Sequence, residues 1–275
     1  MIYLRPSTTS EALKALGARR LAILAGGTDF YPARVGKPLA DDVLDLTALP
    51  ELRGIAEKSD HWRIGATTTW SETIQAKLPP LFDGLKLAAR EIGGLQIQNS
   101  GTIAGNLCNA SPAADGVPAL LALDASVELA SLNAVRRLPL ADFLLGPRKT
   151  ALRQGELLTA VLIPRAKHKA ASHFLKLGAR KYLVISIAMA SAVIEHRAGL
   201  VANARIAIGA CSPVAVRLAA LEADLRGQRF NASLAERISA SHLAGLAPIT
   251  DVRASARYRE HAALELLRRL LREMV

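Results

Sequence analysis

Glycines and small polar side chains occur together in the middle of this sequence, between Gly93 and Asp124. Residues 100 to 106 are Ser-Gly-Thr-Ile-Ala-Gly-Asn, and the segment Ser111 to Asp115 follows shortly after them. Because glycine tolerates positive φ and the close approach of another group, such a loop can present backbone N–H groups and hydroxyls to an anion. The segment indicates an anion-binding loop that would suit a diphosphate, although tight turns alone would explain a single pair of glycines.

A second run of the same kind lies near the N-terminus. The apolar segment Leu21 to Ala25 predicts a buried strand, which leads directly into Gly-Gly-Thr-Asp-Phe-Tyr-Pro at positions 26 to 32. At such a strand-to-loop transition, exposed amides can meet a ligand. Two loops of this type favour a binding function over two unrelated turns.

Short helices and strands should hold these two loops in place. The predicted helices are Pro6 to Gly17, a helix that begins at the hydroxyls of Thr67 to Thr69, Leu81 to Ile92 and Val117 to Leu123. The predicted strands are Val43 to Leu46, Trp62 to Gly65, a hairpin of Val127 to Leu129 with Val135 to Leu138, and Leu157 to Ile163. The three threonines are predicted to cap a helix, and contact with a ligand is the alternative.

A charged stretch, Arg165 to Lys169, predicts the boundary of a second domain. Beyond it, three strands and three amphipathic helices are predicted, which makes the second domain a small antiparallel sheet backed by helices, an α+β arrangement. The strands are Phe174 to Gly178, Val184 to Glu195 and Leu200 to Gly209, and the helices are Ala215 to Leu225, Leu234 to Leu243 and Ala256 to Leu271.

Length and composition limit the class of protein. A chain of 275 residues is long enough for two domains. It is 51% hydrophobic, yet no run approaches the roughly 20 apolar residues of a membrane span. Met1 to Pro6 lacks the pattern of a secretory signal, so we expect a cytoplasmic protein. The two cysteines, Cys108 and Cys211, are too few to ligate an iron–sulfur cluster, which would have to sit in a partner.

Several other functions find little support in the sequence. The formal net charge of +11 suggests nucleic-acid binding, but the basic residues are scattered and only 4% of residues are aromatic. A basic docking face for an acidic partner is the preferred interpretation of the charge. The chain contains neither GxGxxG nor GxxxxGK, and no histidine spacing predicts a metal site. A GxSxG motif is also absent, and we predict no catalytic residue in this chain.

The two loops, taken with later motifs, resemble the FAD-binding subunit of the molybdenum hydroxylases, the xanthine dehydrogenase and carbon monoxide dehydrogenase family. The resemblance covers nearly the whole chain and extends to Glu156-Leu157-Leu158, to Phe174, Lys176 and Arg180, and to Ile208 through Pro213. It implies a two-part, PCMH-type FAD-binding domain of the vanillyl-alcohol oxidase superfamily over residues 1–168, divided into about 1–56 and 57–168. A C-terminal flavoprotein domain of the carbon monoxide dehydrogenase type would follow over residues 169–275.

The resemblance also implies roles for individual residues. Two segments would surround the diphosphate of FAD: Leu24, Ala25, Gly26, Gly27, Thr28, Asp29, Phe30 and Tyr31 on one side, and Thr102, Ile103, Ala104, Gly105 and Asn106 on the other. Asp115 would accept hydrogen bonds from the ribose of the adenosine half, and Leu158 would pack near the adenine. Lys176, Ile92 and Tyr182 would lie beside the flavin ring. Ala104 replaces a glycine that the family often has, and no His or Cys is placed for a covalent link, so FAD should be bound noncovalently.

The function implied is electron transfer within a multi-subunit molybdenum hydroxylase. A large subunit would carry the molybdenum cofactor and a small subunit two 2Fe–2S clusters, and FAD in this chain would pass their electrons to NAD+, oxygen or a quinone. A dimer of three-subunit units is the implied assembly. Two alternatives stay open: a self-sufficient flavoenzyme of the same superfamily, and a basic nucleic-acid-binding protein.

Overall fold

The computed structural model describes residues 1–36, 38 and 40–275. The first sheet of the fold is small and parallel. The strands of this sheet are β1 (Tyr3–Leu4), β2 (Ala22–Leu24) and β3 (Val43–Asp45), in the order β1-β3-β2. The predicted strands near residues 21–25 and 43–46 are confirmed with slightly shorter ends. The glycine run at positions 26 and 27 therefore begins at the carboxyl end of a parallel strand.

A five-stranded antiparallel sheet follows. Its strands are β4 (Ile55–Glu57), β5 (His61–Gly65), β6 (Ser126–Ala130), β7 (Val135–Pro139) and β10 (Leu157–Pro164), in the order β4-β5-β10-β6-β7. Strand β10 is central and buried up to Ile163, as expected of its continuous apolar run. The predicted hairpin of β6 and β7 is confirmed. A separate short hairpin joins β8 (Leu144–Gly146) to β9 (Lys149–Thr150).

The third sheet is antiparallel and occupies the C-terminal part of the chain. Its strands are β11 (Lys169–Leu177), β12 (Ala188–Arg197), β13 (Leu200–Gly209) and β14 (Val216–Arg217), paired in sequence order. Ala198 and Gly199 connect β12 to β13, and both have positive φ, as a tight hairpin turn requires. Strand β12 begins four residues later than predicted, because residues 178–187 form a connecting segment without regular structure.

The helices are short except for the last one. They are α1 (Thr9–Ala18), α2 (Trp70–Gln75), α3 (Asp83–Glu91), α4 (Leu95–Ser100), α5 (Ile103–Asn109), α6 (Gly116–Ala122), α7 (Leu140–Phe143), α8 (Ala219–Leu225) and α9 (Ala256–Glu273). Three proline-led 3-10 turns span Pro32–Arg34, Pro50–Leu52 and Pro80–Phe82. None of the helices in the described ranges is both long and apolar enough to span a membrane.

The predicted capping at Thr67 to Thr69 is confirmed, because the Thr69 hydroxyl accepts from the backbone N–H of Glu72 and the Glu72 carboxylate accepts from that of Thr69. The predicted helix over residues 234–243 is wrong. This segment forms two 3-10 helices, Ala232–Arg237 and Ala240–Leu243, because a new turn begins at Ser239, whose backbone N–H donates to Nδ1 of His242. The predicted helix over residues 215–225 is also too long, since its first residues form β14.

Strand β12 separates two apolar clusters. Its alternate residues Met189 and Val193 face a large cluster shared with the first two sheets, whereas Ala190 and Ile194 face a second cluster that includes α9. Helix α3 packs against β11 so closely that a Cβ at Gly84 would lie 2.9 Å from the backbone of His173. The C-terminal sheet is therefore packed between α3 and α6 on one face and α9 on the other.

Candidate functional site

A cleft of about 450 Å³ opens at the carboxyl end of β2. Its walls come from the turn after β2, the end of α3, helices α4 and α5, and the start of β10. The structure brings most of the predicted binding residues to these walls, namely Ala25, Gly26, Gly27, Thr28, Asp29, Phe30, Ile92, Thr102, Ala104, Gly105, Asn106 and Leu158. Two loops that are about 75 residues apart in sequence thus meet in one place, as predicted.

The turn after β2 carries a row of free donors. The backbone N–H groups of residues 26–30 donate to no hydrogen-bond acceptor in the described part of the chain, although residues 31 and 33 close the turn by donating to Gly27 and Asp29. Consecutive unpaired N–H groups beside a cavity form an anion-binding concavity. The turn can therefore bind the oxygens of a phosphate or diphosphate with neutral donors.

Glycine is required at both positions that begin this turn. A Cβ at Gly26 would overlap the backbone carbonyl of Ser100, at the end of α4. Gly27 has φ +74°, and a Cβ there would lie 2.8 Å from the ring of Tyr31. The turn is thus pressed against α4 on one side and covered by Tyr31 on the other, so its shape depends on the absence of these side chains.

The central loop differs from its prediction. Residues 95–109 form helices α4 and α5, with Thr102 as the N-cap of α5. All four backbone N–H groups from Ile103 to Asn106 donate within the protein, to Thr68 O, Ala66 O, Thr102 Oγ1 and Thr102 O in turn. These four N–H groups therefore already have partners within the chain, and the role of residues 102–106 beside a diphosphate stays a prediction. The small residues instead begin a tightly packed helix that forms one wall of the cleft.

Asn106 has an unsatisfied side chain on that wall. Its Oδ1 atom is buried and has no hydrogen-bond partner among the described residues. It points towards Gly116, where a Cβ would lie 3.0 Å from it. Because a buried acceptor without a partner costs about 1–3 kcal/mol, a donor from a ligand in the cleft would relieve this cost.

Asp115 and Lys176, which were predicted to contact different parts of the cofactor, contact each other directly. The two side chains form an ion pair with 2.8 Å between Lys176 Nζ and Asp115 Oδ2, and Ser186 donates to the other carboxylate oxygen at 2.5 Å. Lys176 also donates to the carbonyl of Glu91, directly before Ile92. The cofactor roles of Asp115 and Lys176 stay predictions.

Burial disfavours the ionised form of Asp115. Burial raises the pKa of Asp115, while the Lys176 ammonium and the Ser186 hydroxyl oppose that rise. Neither Asp115 nor Lys176 lines the cleft, since both lie behind the end of α3 that carries Ile92. The pair thus supports the cleft from outside its walls.

Four other predicted residues do not line the cleft. Leu24 and Ile103 are core residues, with 7% and 0% of their surfaces exposed. Tyr31 lies over Gly27 with its outer side in solvent, and Tyr182 is 64% exposed in the segment before β12. Leu24 and Ile103 point away from the cleft because neighbouring side chains on a strand or a helix point to different sides.

Sequence reasoning missed other residues of the cleft. Arg34, Trp70, Ile97, Leu152 and Cys108 also contribute to its walls. Arg34 follows Phe30 by four residues. Because this is helical spacing, the sequence could have predicted that the two side chains lie close together. The described residues contain no group of three or more His, Cys, Asp or Glu arranged to hold a metal ion.

Known proteins resemble this chain along its whole length. Residues 1–166 match the FAD binding domain in molybdopterin dehydrogenase, and residues 173–274 match the CO dehydrogenase flavoprotein C-terminal domain. A putative xanthine dehydrogenase FAD-binding subunit of Escherichia coli is 32% identical over 279 residues, covering 99% of this chain and 95% of that one. The carbon monoxide dehydrogenase medium chain of Hydrogenophaga pseudoflava is 29% identical, covering 98% of this chain and 95% of that one.

Solved structures agree with these sequence matches. A chain of the Cu,Mo-CO dehydrogenase in its cyanide-inactivated form superposes with a TM-score of 0.90 at 28% identity, covering 100% of this chain and 97% of that one. A chain of quinoline 2-oxidoreductase from Pseudomonas putida 86 gives a TM-score of 0.87 at 25% identity, with 100% and 96% coverage.

Proposed function

This chain belongs to the family of FAD-binding subunits of the molybdopterin dehydrogenases, and on this premise we propose that it binds FAD in the cleft after β2 and transfers electrons between a partner and an acceptor. The family predicted from the sequence motifs is thereby confirmed, as is its class, an oxidoreductase subunit. Bound FAD would supply the redox centre, and the residues of this chain bind and orient it.

The row of free N–H groups at residues 26–30 is the observation that carries this proposal. We assign it to the diphosphate of FAD, because neutral donors that already converge on one cavity bind a dianion without further rearrangement. The Asn106 amide on the opposite wall would meet a polar group of the same ligand. Leu158 would contact the adenine and Ile92 the flavin ring, as the sequence motifs imply.

We further propose the subunit arrangement that the sequence motifs imply. A small subunit with 2Fe–2S clusters would deliver electrons, a large subunit would carry the molybdenum cofactor, and two such three-subunit units would associate. The relatives are themselves a medium chain and an FAD-binding subunit, which supports a multi-subunit enzyme. NAD+, oxygen or a quinone would accept the electrons. A cytoplasmic location stays a prediction from the sequence.

The domain boundaries are also a proposal. The parallel sheet ends at residue 45, the five-stranded sheet runs from residue 55 to 164, and the C-terminal sheet begins at residue 169. This order supports a PCMH-type domain over 1–168, with parts of about 1–56 and 57–168, and a C-terminal domain over 169–275. Assignment to the vanillyl-alcohol oxidase superfamily belongs to the same proposal.

Titration of the purified, cofactor-free chain with FAD tests the proposed function. Quenching of FAD fluorescence and flavin absorption bands that persist through desalting are the expected results, with a stoichiometry of one FAD per chain. The same titration is repeated on the chain co-expressed with its partner subunits. Absence of FAD from both the isolated chain and the assembled complex would overturn the proposal.

A further inference from the structure

Arg34 is the one cation among the described residues that line the cleft, and Asp29 is the one carboxylate. Asp29 is exposed and directed to solvent at the surface of the turn, whereas the Arg34 side chain is only 29% exposed. A diphosphate carries two negative charges, and the N–H groups of residues 26–30 bear only partial positive charges. The charge balance of the occupied cleft therefore depends on Arg34.

Three contacts fix the guanidinium of Arg34. Its Nη1 donates to the carbonyl of Phe30 at 2.9 Å, and its Nη2 and Nε donate to one carboxylate oxygen of Asp41 at 2.7 and 3.3 Å. Its Cζ atom also lies 3.9 Å from the centroid of the Phe30 ring. This is the distance of a cation–π contact, so the guanidinium is held on both its edge and its face.

These contacts connect Arg34 directly to the anion-binding turn. Phe30 is the last of the five residues with a free N–H group, and its carbonyl is the acceptor for Arg34. A hydrogen bond to that carbonyl fixes the peptide plane between Phe30 and Tyr31, which directly follows the donor row and closes the turn through the Tyr31 N–H. Arg34 can therefore act in two ways, by supplying positive charge and by holding the turn in its binding conformation.

We propose that Arg34 is a further cofactor-binding residue, which supplies the cationic partner of the dinucleotide's diphosphate and fixes the turn of residues 26–30 through Phe30. This inference rests on the proposed FAD site. Asp41 orients the guanidinium from the side opposite the turn. Because a planar, permanently charged group suits a phosphate oxygen and an aromatic face together, lysine is only a partial substitute.

Binding of FAD and of ADP to three variants tests this proposal. ADP carries the diphosphate without the flavin, so it isolates that part of the site. Arg34→Met should weaken both ligands about tenfold at low salt, as expected for one charge-assisted hydrogen bond in a partly exposed site. Arg34→Lys should recover part of this loss. The absorption spectrum of bound FAD should stay unchanged, because the change is remote from the ring.

Arg20→Met is the matched control, since Arg20 is an exposed cation that lines a neighbouring cavity together with Arg34 but does not line the cleft. Its affinity for both ligands should stay within twofold of wild type. Asp41→Asn distinguishes the effect of the Arg34 charge from the effect of its ion pair with Asp41. It removes the ion pair but leaves the Arg34 guanidinium and its hydrogen bond to Phe30 in place. This variant should bind FAD within threefold of wild type.

Two results would overturn the proposal while leaving FAD binding itself intact. One is an Arg34→Met variant that binds FAD and ADP as wild type does. The other is an Asp41→Asn variant that loses as much affinity as Arg34→Met, which would show that only the ion pair matters. Thermal unfolding of each cofactor-free variant separates a loss of affinity from a loss of folding. A wild-type chain that binds no FAD would instead refute the proposed function.

Discussion

The ammonium nitrogen of Lys176 lies 2.8 Å from a carboxylate oxygen of Asp115, with 4% and 10% of the two side chains exposed. The same ammonium donates to the carbonyl of Glu91 at 3.1 Å. One buried cation thus joins β11 of the C-terminal sheet to the start of α6 and the end of α3. The position of Ile92 on the cleft wall is therefore fixed by the packing of the C-terminal sheet against the rest of the chain.

Replacing Lys176 by Met should destabilise the cofactor-free chain by about 3–5 kcal/mol at pH 7, because it leaves the carboxylate of Asp115 buried without a counter-charge. Urea unfolding followed by circular dichroism measures this loss. The double variant Lys176→Met, Asp115→Asn should recover much of it. Arg269→Met, which breaks an exposed pair with Glu273, is the control and should cost less than about 1 kcal/mol. A single Lys176→Met variant as stable as this control would contradict the prediction.

Asp115 should also make stability depend on pH. Burial raises its pKa in the folded chain, so the folded state holds this proton more tightly than the unfolded state does. The stability contributed by Asp115 is present below about pH 4, the unfolded pKa, and is lost as pH rises through the folded pKa. The unfolding free energy of wild type should therefore fall relative to that of Asp115→Asn as pH rises from 4 to 7. A difference that is constant over this range would contradict the assignment.

Several regular elements follow closely from the sequence. The strand over residues 200–209 has the predicted ends, and the capping box of Thr69 and Glu72 sets the start of α2 as expected. In these elements local chemistry and tertiary packing favour the same structure. The buried face of α9 is likewise predictable from its apolar spacing.

The central segment could not be predicted to the same level. Its threonine, glycine and asparagine residues suit an anion-binding loop, but they equally suit a capped helix in close packing, and Thr102 caps α5. The choice depends on Thr68 and Ala66, whose carbonyls accept from α5 and which lie more than 30 residues earlier. A contact of that range leaves no local pattern in the sequence.

The partner of a charged residue is similarly hidden. Asp115 and Lys176 were each expected to contact the cofactor, because a sequence shows a charged group without its neighbour. Their ion pair spans 61 residues and exists only because β11 packs against the start of α6. The convergence of the two motifs on one cleft was therefore predictable from the sequence, whereas the contacts of the charged residues required the tertiary structure.

Gly26→Ala should abolish FAD retention, because the added Cβ would overlap the carbonyl of Ser100 and move the turn away from α4. Gly17→Ala is the matched control. Gly17 lies within α1 with nothing within 4 Å of an added Cβ, so alanine there should stabilise the chain by about 0.5–1 kcal/mol. Flavin absorption after desalting and thermal unfolding measure the two effects. Normal flavin content in the Gly26→Ala variant would remove the turn from the binding site.

Glu195 should be the main link between the C-terminal sheet and the segment that precedes it. One of its carboxylate oxygens accepts from Arg205, and the other accepts from the backbone N–H groups of Lys167 and His168. Arg205 in turn donates to the carbonyl of Ala122, at the end of α6. Loss of the carboxylate charge would thus leave a buried guanidinium uncompensated and loosen the contact between β13 and α6.

The expected cost of Glu195→Gln is about 3–5 kcal/mol at pH 7, measured by urea unfolding. Burial alone would raise the pKa of Glu195, but its hydrogen bond and charge interaction with Arg205 and the two backbone donors outweigh burial and lower it. The stability contributed by Glu195 is therefore present above about pH 4.3, the unfolded pKa, and is lost as pH falls through the folded pKa. The difference in unfolding free energy between wild type and Glu195→Gln should become smaller as pH falls. For Asp115 the expected pH dependence has the opposite sign. A difference that widens below pH 4 would contradict the prediction that Glu195 is ionised in the folded chain.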